Sequence, residues 1–252
     1  MPVLAVTGLK AEARVAEGSG VTALAGGGDA ARLALMLQAH LEQGARAVVS
    51  FGIAGGLAPG FPPGSVVVAR GIVTADARWV TDSGWQRALV SALPQAMCGD
   101  LLGVDAAVPD AAAKAVLRNS SGALAVDMES HIAARLAARY GVPFAAVRVV
   151  ADPAERSLPA AALVGMRPDG STDVAAVLRA LARRPADLPG LIRTAFDAQA
   201  AFRSLKACRE ALGDLLGFAV SQELSSPAPT GDLHAEPAPP IGLTTLGSDA
   251  AH

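Results

Sequence analysis

Two acidic motifs hold the side chains of this sequence that are best suited to chemistry. The first spans residues 126–130 (Val-Asp-Met-Glu-Ser) and the second spans residues 148–153 (Arg-Val-Val-Ala-Asp-Pro). In the first motif, Glu129 could accept hydrogen bonds from two adjacent sugar hydroxyls while Met128 packs against the sugar. In the second, Asp152 leaves a run of apolar residues and is well placed to act on a bound ligand. Together the motifs predict a site for a small ligand that carries hydroxyl groups.

Spacing alone leaves a structural explanation open for each of these residues. An acid in the first turn of a helix is favoured by the helix dipole, which suits Glu129, and Asp127 could serve as the N-cap. Asp152 precedes a proline and could open an Asp-Pro turn. Arg148 lies within an apolar run and, if buried, needs an anionic or carbonyl partner, which could belong to the protein itself.

Two glycine-rich segments are candidates for binding an anion. They are residues 26–29 (Gly-Gly-Gly-Asp) and 52–56 (Gly-Ile-Ala-Gly-Gly), and each follows a predicted strand. Glycine lets the backbone approach an anion closely, and N–H groups at a helix start carry partial positive charge. Tight strand-to-helix turns would explain the segments as well. Neither segment has the spacing of a dinucleotide site or of a P-loop, so dehydrogenase function is not indicated.

The elements that must position these motifs alternate along the chain. Short β-branched runs predict strands and alanine-rich patterns predict helices. The strands are expected at residues 3–7, 21–25, 47–51, 65–73, 101–104 and 144–150. Alternation predicts an α/β fold, a single three-layer α/β/α domain with a mostly parallel, mixed central sheet. Ligands bind at the carboxyl ends of such strands, which is where the acids and glycine segments fall.

The C-terminal part of the chain has a different composition. Residues 218–252 contain five prolines, four acids and no lysine or arginine. Such a segment buries too little apolar surface to become ordered. We therefore expect one domain over residues 1–217 and a disordered, proline-rich tail.

Bulk composition excludes several functional classes. The 252 residues are 52% hydrophobic with a net charge of −2, which supplies a large core and no basic patch for nucleic acid. Cys98 and Cys208 have no Cys or His at ligand spacing, so we expect no metal site and no disulfide framework. No apolar stretch is long enough for an integral membrane segment, and the first residues do not read as a signal peptide. A cytoplasmic enzyme is expected.

Taken together and in order, the motifs resemble those of the purine and uridine nucleoside phosphorylase superfamily, which includes methylthioadenosine/adenosylhomocysteine nucleosidase. Residues 124–130 followed by 142–153 are similar to its paired signature, a Met-Glu helix start and then a Val-Arg strand ending in Asp. Residues 48–68 are similar to its central strand, glycine segment and following strand. The resemblance covers about residues 3–155 and implies the phosphorylase/hydrolase-like version of the predicted fold.

Within that superfamily, the chain most resembles the hopanoid-associated nucleoside phosphorylases. The segments that carry this finer resemblance are residues 8–14, 51–57, 163–170 and 205–209. It implies phosphorolysis of a 5′-modified adenosine, adenosylhopane, with release of adenine. Inorganic phosphate would be the co-substrate, with no other cofactor. A homo-oligomer and a peripheral membrane contact to reach a lipid-linked substrate are also implied.

The resemblance assigns a role to each candidate residue. Asp152 would protonate, or share a proton with, purine N7, and Glu129 would hold the ribose hydroxyls. Substrate contacts are expected from Met128, Asp127, Arg148, Phe51, Gly55 and Gly56. Phosphate contacts are expected from Gly8, Gly28, Gly52, Ile53 and Ala54.

Differences from the related nucleosidases leave the nucleophile open. Ile53 and Ala151 stand where related nucleosidases commonly have serine, so two hydroxyls are missing. The nucleosidases also use a glutamate to activate water, and either Glu12 or Ala13 could occupy that position. If Glu12 points at the anomeric carbon, hydrolysis gains over phosphorolysis. A non-catalytic nucleoside-binding module is a third possibility, against which the presence of Glu129 and Asp152 argues.

Overall fold

The computed structural model describes residues 1–163, 170–171 and 173–218. Residues 164–169, which form most of one of the segments that resemble the hopanoid-associated enzymes, lie outside the described residues. The same holds for residues 219–252 of the predicted tail. Phe218, where that tail was expected to begin, is buried and packs against Trp85 with ring centroids 4.9 Å apart. The packed domain therefore includes Phe218.

The described residues form eight strands and eight α-helices. The strands are β1 (Val3–Thr7), β2 (Val21–Ala25), β3 (Ala47–Gly56), β4 (Val66–Val73), β5 (Arg78–Val80), β6 (Met97–Gly103), β7 (Ala125–Asp127) and β8 (Phe144–Asp152). The helices are α1 (Lys10–Ala16), α2 (Ala30–Glu42), α3 (Ser83–Ala92), α4 (Ala111–Ser121), α5 (Ser130–Tyr140), α6 (Ala160–Leu163), α7 (Val174–Arg183) and α8 (Leu188–Leu212). A 3-10 turn at Pro185–Asp187 joins the last two helices.

The strands form one mixed sheet in which parallel pairs outnumber antiparallel pairs. β2, β1, β3 and β8 are joined by parallel pairing in that order. Five strands close a cycle, because β8 pairs with β4, β4 with β6, β6 with β7, and β7 returns to β3. The predicted mixed, mostly parallel sheet is confirmed. Local patterns did not reveal the cycle, because its partners are far apart in the sequence.

β3 is longer than the sequence predicts, and this changes the form of one glycine segment. The predicted strand ends at residue 51 and the glycine segment after it was expected to be a loop or turn, but β3 continues to Gly56 and pairs there with β7 and β8. Glycine in a strand permits another backbone or side chain to approach closely. The predicted loop at residues 52–56 is therefore wrong, since the segment is strand.

Helix boundaries follow local capping signals. Asp29 accepts a hydrogen bond from the N–H of Arg32 at 2.9 Å and begins α2. Asp110 begins α4 in the same way, accepting from Ala113 at 3.0 Å. Gly141 ends α5 at φ 65°, a left-handed conformation that glycine adopts without strain. These caps fix where the helices start and stop around the sheet.

Helices cover both faces of the sheet, which confirms the three-layer arrangement. On one face, Leu33 and Leu37 of α2 pack with Ile132 and Leu136 of α5 against the strands. On the other face, α3 and α8 supply the large buried side chains, Trp85 among them. The two cores stabilise the sheet from both sides and hold its strand ends in place.

A row of exposed apolar side chains lies on the outer surface of α8. Leu188, Ile192 and Phe196 of α8 recur at four-residue intervals and are 45%, 48% and 66% exposed. In the parts of the chain that the structure describes, no helix combines the length and apolar character needed to cross a bilayer.

Candidate active site

A pocket opens at the carboxyl ends of β1, β3, β7 and β8. Its wall consists mainly of main chain and small or apolar side chains, with four acids among them. The acids are Glu12, Asp127, Glu129 and Asp152. Among the described residues, no lysine, arginine or histidine lines the pocket. A ligand in the pocket therefore contacts carboxylates directly, and the cations that pair with them lie outside the described pocket wall.

The cation behind Glu129 is Arg148, which is 0% exposed. Its Nη2 donates to Oδ1 of Asp127 at 3.2 Å and to Oε2 of Glu129 at 3.3 Å. Its Nη1 donates to the carbonyl of Ile53 at 3.2 Å. Arg148 thus finds both the anionic and the carbonyl partners that its burial requires. It holds two pocket acids in place from β8.

Glu12 lies on the floor of the pocket and is 1% exposed. Its Oε2 accepts from the N–H groups of Gly8 at 2.7 Å and Leu9 at 2.6 Å. Its Oε1 accepts from the N–H of Ile53 at 2.7 Å. Two of the residues predicted to bind phosphate, Gly8 and Ile53, thus direct their N–H groups at a carboxylate of the protein itself.

Two glycines make room for these acids. A Cβ atom at position 8 would lie 2.9 Å from Oε1 of Glu129, and one at position 52 would lie 2.9 Å from Oε1 of Glu12. The same Cβ at position 52 would lie 2.7 Å from Nη1 of Arg148. Real Cβ atoms do not approach so closely. Gly8 and Gly52 therefore serve the packing of the carboxylates.

One buried cation faces three buried acids at this end of the pocket. Burial raises the pKa of Glu129 to about 7, with Arg148 opposing the shift and the neighbouring charges of Asp127 and Glu12 adding to it. Burial also raises the pKa of Glu12, against Arg148 and the three N–H groups. We infer that this cluster holds a proton at mildly acidic pH, which suits acid-base chemistry near neutrality.

Asp127 fixes the start of α5. Its Oδ1 accepts from the N–H groups of Glu129 at 2.9 Å and Ser130 at 2.6 Å, and its Oδ2 accepts from the Ser130 hydroxyl at 2.6 Å. This is the N-capping arrangement that the sequence left open. Asp127 also lines the pocket. Its carboxylate is engaged within the protein and anchors Glu129.

The far end of the pocket has a different charge arrangement. Asp152 ends β8, and its Oδ2 is bound by the ammonium of Lys114, whose side chain is fully buried in α4. Burial raises the pKa of Asp152, while Lys114 opposes the shift. Here one acid faces one cation, and 17% of the Asp152 side chain is exposed.

The structure brings most of the sequence-predicted site residues together. Those that line the pocket are Asp152, Glu129, Met128, Asp127, Gly55, Gly8, Gly28, Ile53, Ala54 and Glu12. Four others do not line it, namely Arg148, Phe51, Gly52 and Gly56. Phe51 is 0% exposed and packs in the core that α8 covers. Gly56 pairs with Ala125 of β7.

Sequence reasoning missed Lys114. It lies 38 residues from Asp152 in an alanine-rich helix, where a lone lysine is ordinarily exposed. The available signal was weak, since Lys114 shares a helix face with Leu117 at three-residue spacing. It also missed the apolar wall between the two ends, to which Val104, Ala107, Val108 and Leu158 contribute.

Comparisons with known proteins agree with this architecture. A search of curated proteins finds no significant match. Among solved structures, the chain is similar to a 5′-methylthioadenosine/S-adenosylhomocysteine nucleosidase from Helicobacter pylori, with 14% identity, a TM-score of 0.58, and coverage of 85% of this chain and 99% of that one. A putative methylthioadenosine nucleosidase from Weissella paramesenteroides gives 18% identity, a TM-score of 0.55, and coverage of 82% and 97%.

A futalosine hydrolase from Helicobacter pylori gives 16% identity and a TM-score of 0.53, with coverage of 60% of this chain and 88% of that one. At such identities these structures show a shared fold. A sequence profile described as the Phosphorylase superfamily matches residues 5–183, which is more than half of the chain and includes every residue that lines the pocket. This chain belongs to the Phosphorylase superfamily.

Proposed function

We propose that the pocket cleaves the N-glycosidic bond of a 5′-modified adenosine. Superfamily membership and the two separate acid groups of the pocket support this proposal. Glu129 at one end suits the ribose hydroxyls, with Met128 beside it. Asp152 at the other end suits the base. The nucleoside would lie between them along the apolar wall.

The charge at the end of the pocket that holds Glu12, Asp127 and Glu129, called the sugar end, favours bond cleavage. The transition state of glycosidic cleavage is oxocarbenium-like, so positive charge develops on the ribose. Glu12, Asp127 and Glu129 together outweigh the single charge of Arg148, and this excess stabilises that positive charge in a water-poor site. The backbone and Arg148 hold the acids in advance, so little reorganisation accompanies the reaction.

The position of Glu12 favours water as the nucleophile. The N–H groups of Gly8, Leu9 and Ile53 orient its carboxylate, and burial raises its pKa toward the range of an effective general base. In the proposed step, Glu12 takes a proton from water and the water oxygen bonds to C1′. The C1′–N9 bond breaks, its electron pair stays on adenine, and N7 takes a proton from Asp152. This orientation of Glu12 is the observation that carries the proposal of hydrolysis.

Phosphorolysis is the second candidate, and the resemblance to the hopanoid-associated enzymes favours it. A phosphate at the predicted position would compete with Glu12 for the N–H groups of Gly8 and Ile53. It would also stand beside acids without a cation in the described part of the pocket wall. Like charges so close are unfavourable, so phosphate ranks below water.

The 5′ substituent is proposed to be apolar. Val104, Ala107, Val108 and Leu158 give the pocket an aliphatic stretch of wall with no polar side chain. Such a surface suits a methylthio group or a longer hydrocarbon. Among adenosines with an apolar 5′ substituent, adenosylhopane has a long one and is the substrate that the sequence resemblance implies. Methylthioadenosine has a short one.

The assembly proposed for this enzyme is a homo-oligomer. Its support is the exposed apolar row of Leu188, Ile192 and Phe196 on α8, a pattern common at subunit contacts. Sedimentation velocity tests it, because a monomer at micromolar concentration would contradict it. A peripheral membrane contact remains a proposal for a lipid-linked substrate. Pelleting with liposomes, with and without that substrate, tests it.

The deciding experiment follows adenine release from adenosylhopane, methylthioadenosine and adenosine, with and without phosphate. We expect release that does not need phosphate, and an Asp152→Asn variant about 10³-fold slower because it lacks the acid. Asp100→Asn, at an ion pair with Arg78 outside the pocket wall, is the control and should keep full activity. Phosphate-dependent release would replace hydrolysis by phosphorolysis. No release from any substrate would overturn the adenosine proposal.

A further inference from the structure

The burial of Lys114 is unusual for a lysine. Its side chain is fully buried, and its ammonium has three acceptors, which are Oδ2 of Asp152 and the carbonyls of Pro153 and Arg156 at 3.0 Å each. A buried ammonium without such partners would be strongly unfavourable. All three acceptors belong to residues 152–156, the segment that carries the proposed acid. In the described structure, the hydrogen bonds of the Lys114 ammonium therefore all go to the segment that holds the proposed acid.

The same three acceptors also suit a neutral amine. An ammonium has three N–H groups, one for each acceptor. If one proton passes to Asp152, the two remaining N–H groups still match the two carbonyls, and the nitrogen lone pair faces the new O–H of Asp152. The site thus satisfies the hydrogen bonds of both protonation states without moving the side chain. The pair can therefore share one proton without rearrangement.

We propose that Lys114 and Asp152 form a single two-residue acid, in which Lys114 is a positioning residue that holds the proton at rest and passes it through Asp152 to the base. This rests on the proposed function. As the C1′–N9 bond breaks, Oδ2 of Asp152 takes a proton from Nζ of Lys114, and the carboxyl group gives that same proton to N7 and returns to a carboxylate. Lys114 ends as a neutral amine, which solvent reprotonates after the products leave.

The other charged groups near Asp152 do not supply this proton. Asp197 of α8 faces it and is ion-paired with Arg156, which lies on the same segment as the Lys114 acceptors. Glu155 is exposed and accepts from the N–H of Gly60 at 2.9 Å. Among the described residues, the proton donor in contact with Asp152 is Lys114.

The test is the pH profile of kcat for wild type and Lys114→Met. In wild type, activity should persist until the pair loses its shared proton at alkaline pH. In the variant, Asp152 must carry the proton alone, so the alkaline limb should move down by more than about one pH unit. If Lys114 only lowers the pKa of Asp152, its removal moves that limb up. An upward shift or no shift overturns the proposal.

Three further variants serve as controls. They test whether the protein still folds and whether the effect is specific to Lys114. Lys114→Gln keeps a donor for the carbonyls and replaces Lys114→Met if the latter does not fold by circular dichroism. Arg78→Met breaks the Arg78–Asp100 pair, which lies outside the pocket wall, and should leave the profile unchanged. Lys114→Met combined with Asp152→Asn should be no slower than Asp152→Asn alone, because Lys114 acts through Asp152. Additive losses would contradict this coupling.

Adenine binding gives a readout that needs no turnover. Calorimetry in two buffers of different ionisation enthalpy measures the protons taken up on binding. Above pH 7, wild type should take up almost none, because the pair supplies the proton, whereas Lys114→Met should take up close to one. Equal uptake overturns the proposal. If wild type binds adenine but cleaves no nucleoside, the proposed function fails while this measurement still decides the role of Lys114.

Discussion

The two ends of the pocket handle charge in different ways. At the sugar end, Glu12, Asp127 and Glu129 share the single cation Arg148, so negative charge is in excess. At the Asp152 end, which the proposed function assigns to the leaving base, Asp152 pairs with the one cation Lys114, and the charges balance. Excess carboxylate stabilises positive charge on a sugar, whereas a balanced pair holds a proton ready for a leaving base. Under the proposed function, this difference lets one pocket serve two steps of one reaction.

Removing the cation of the sugar end should have the largest effect on stability. Arg148→Met leaves buried acids without a partner and should lower the free energy of unfolding by about 3–5 kcal/mol, as measured by urea denaturation. Arg78→Met removes a half-exposed ion pair and should cost no more than about 1 kcal/mol. Similar losses for both variants would break the contrast between buried and exposed cations.

Replacing Glu12, the proposed general base, should affect turnover more than folding. Glu12→Gln keeps the size of the side chain but cannot take a proton, and should slow hydrolysis by about 10²-fold in kcat. Glu17→Gln is the matched control, since Glu17 also accepts a backbone N–H, from Ala23 at 2.8 Å, but on the surface. Unchanged turnover in Glu12→Gln would mean that the sugar end supplies charge and no base.

Adding a methyl group at the sugar end should lower the free energy of unfolding by less than the loss of Arg148 does. Gly52→Ala places a Cβ 2.7 Å from Nη1 of Arg148 and 2.9 Å from Oε1 of Glu12, and should destabilise the protein by about 1–3 kcal/mol. Gly190→Ala is the control. Gly190 lies within α8, and a Cβ added there would contact Pro159 at an ordinary distance of 3.7 Å. That variant should be neutral or slightly stabilising, because alanine favours a helix. Thermal melting compares the two.

The last comparison is a slope in stability with pH. Because the pKa of Glu129 rises from 4.5 to about 7 on folding, the folded protein binds this proton more tightly than the unfolded chain. The resulting stability is complete below pH 4.5 and is lost as pH rises through about 7. Urea denaturation between pH 5 and 8 should therefore show falling stability, with a shallower fall in Glu129→Gln. An equal slope in the variant would place the proton on another group.

The sequence predicted the acids of the pocket because they follow strands. Asp127, Glu129 and Asp152 each lie at or just beyond the carboxyl end of a strand, so topology alone gathers them at one edge. Arg148 was recognised as a residue that needs a partner, and the partners proved to be those acids. Their grouping needed no knowledge of distant pairing.

Two features depended on information that is not local. The N–H groups of Gly8 and Ile53 were predicted to bind phosphate, because the sequence does not show that Glu12 folds back onto them. Lys114 was missed, because an isolated lysine in a short helix gives no sign of which segment it will meet. Both contacts join segments at least 38 residues apart, except for the local bond between Gly8 and Glu12.

The closed cycle of strands also has a kinetic consequence. β3 pairs with β1 in its first half, with β7 in its last residues and with β8 along its length, so it has no free edge along most of its length. A strand in such a ring cannot fray from one side, and separating it requires breaking both neighbouring ladders together. Amide hydrogens of β3 should then exchange with solvent chiefly through global unfolding. The part of the pocket wall that β3 forms is thus as long-lived as the fold itself.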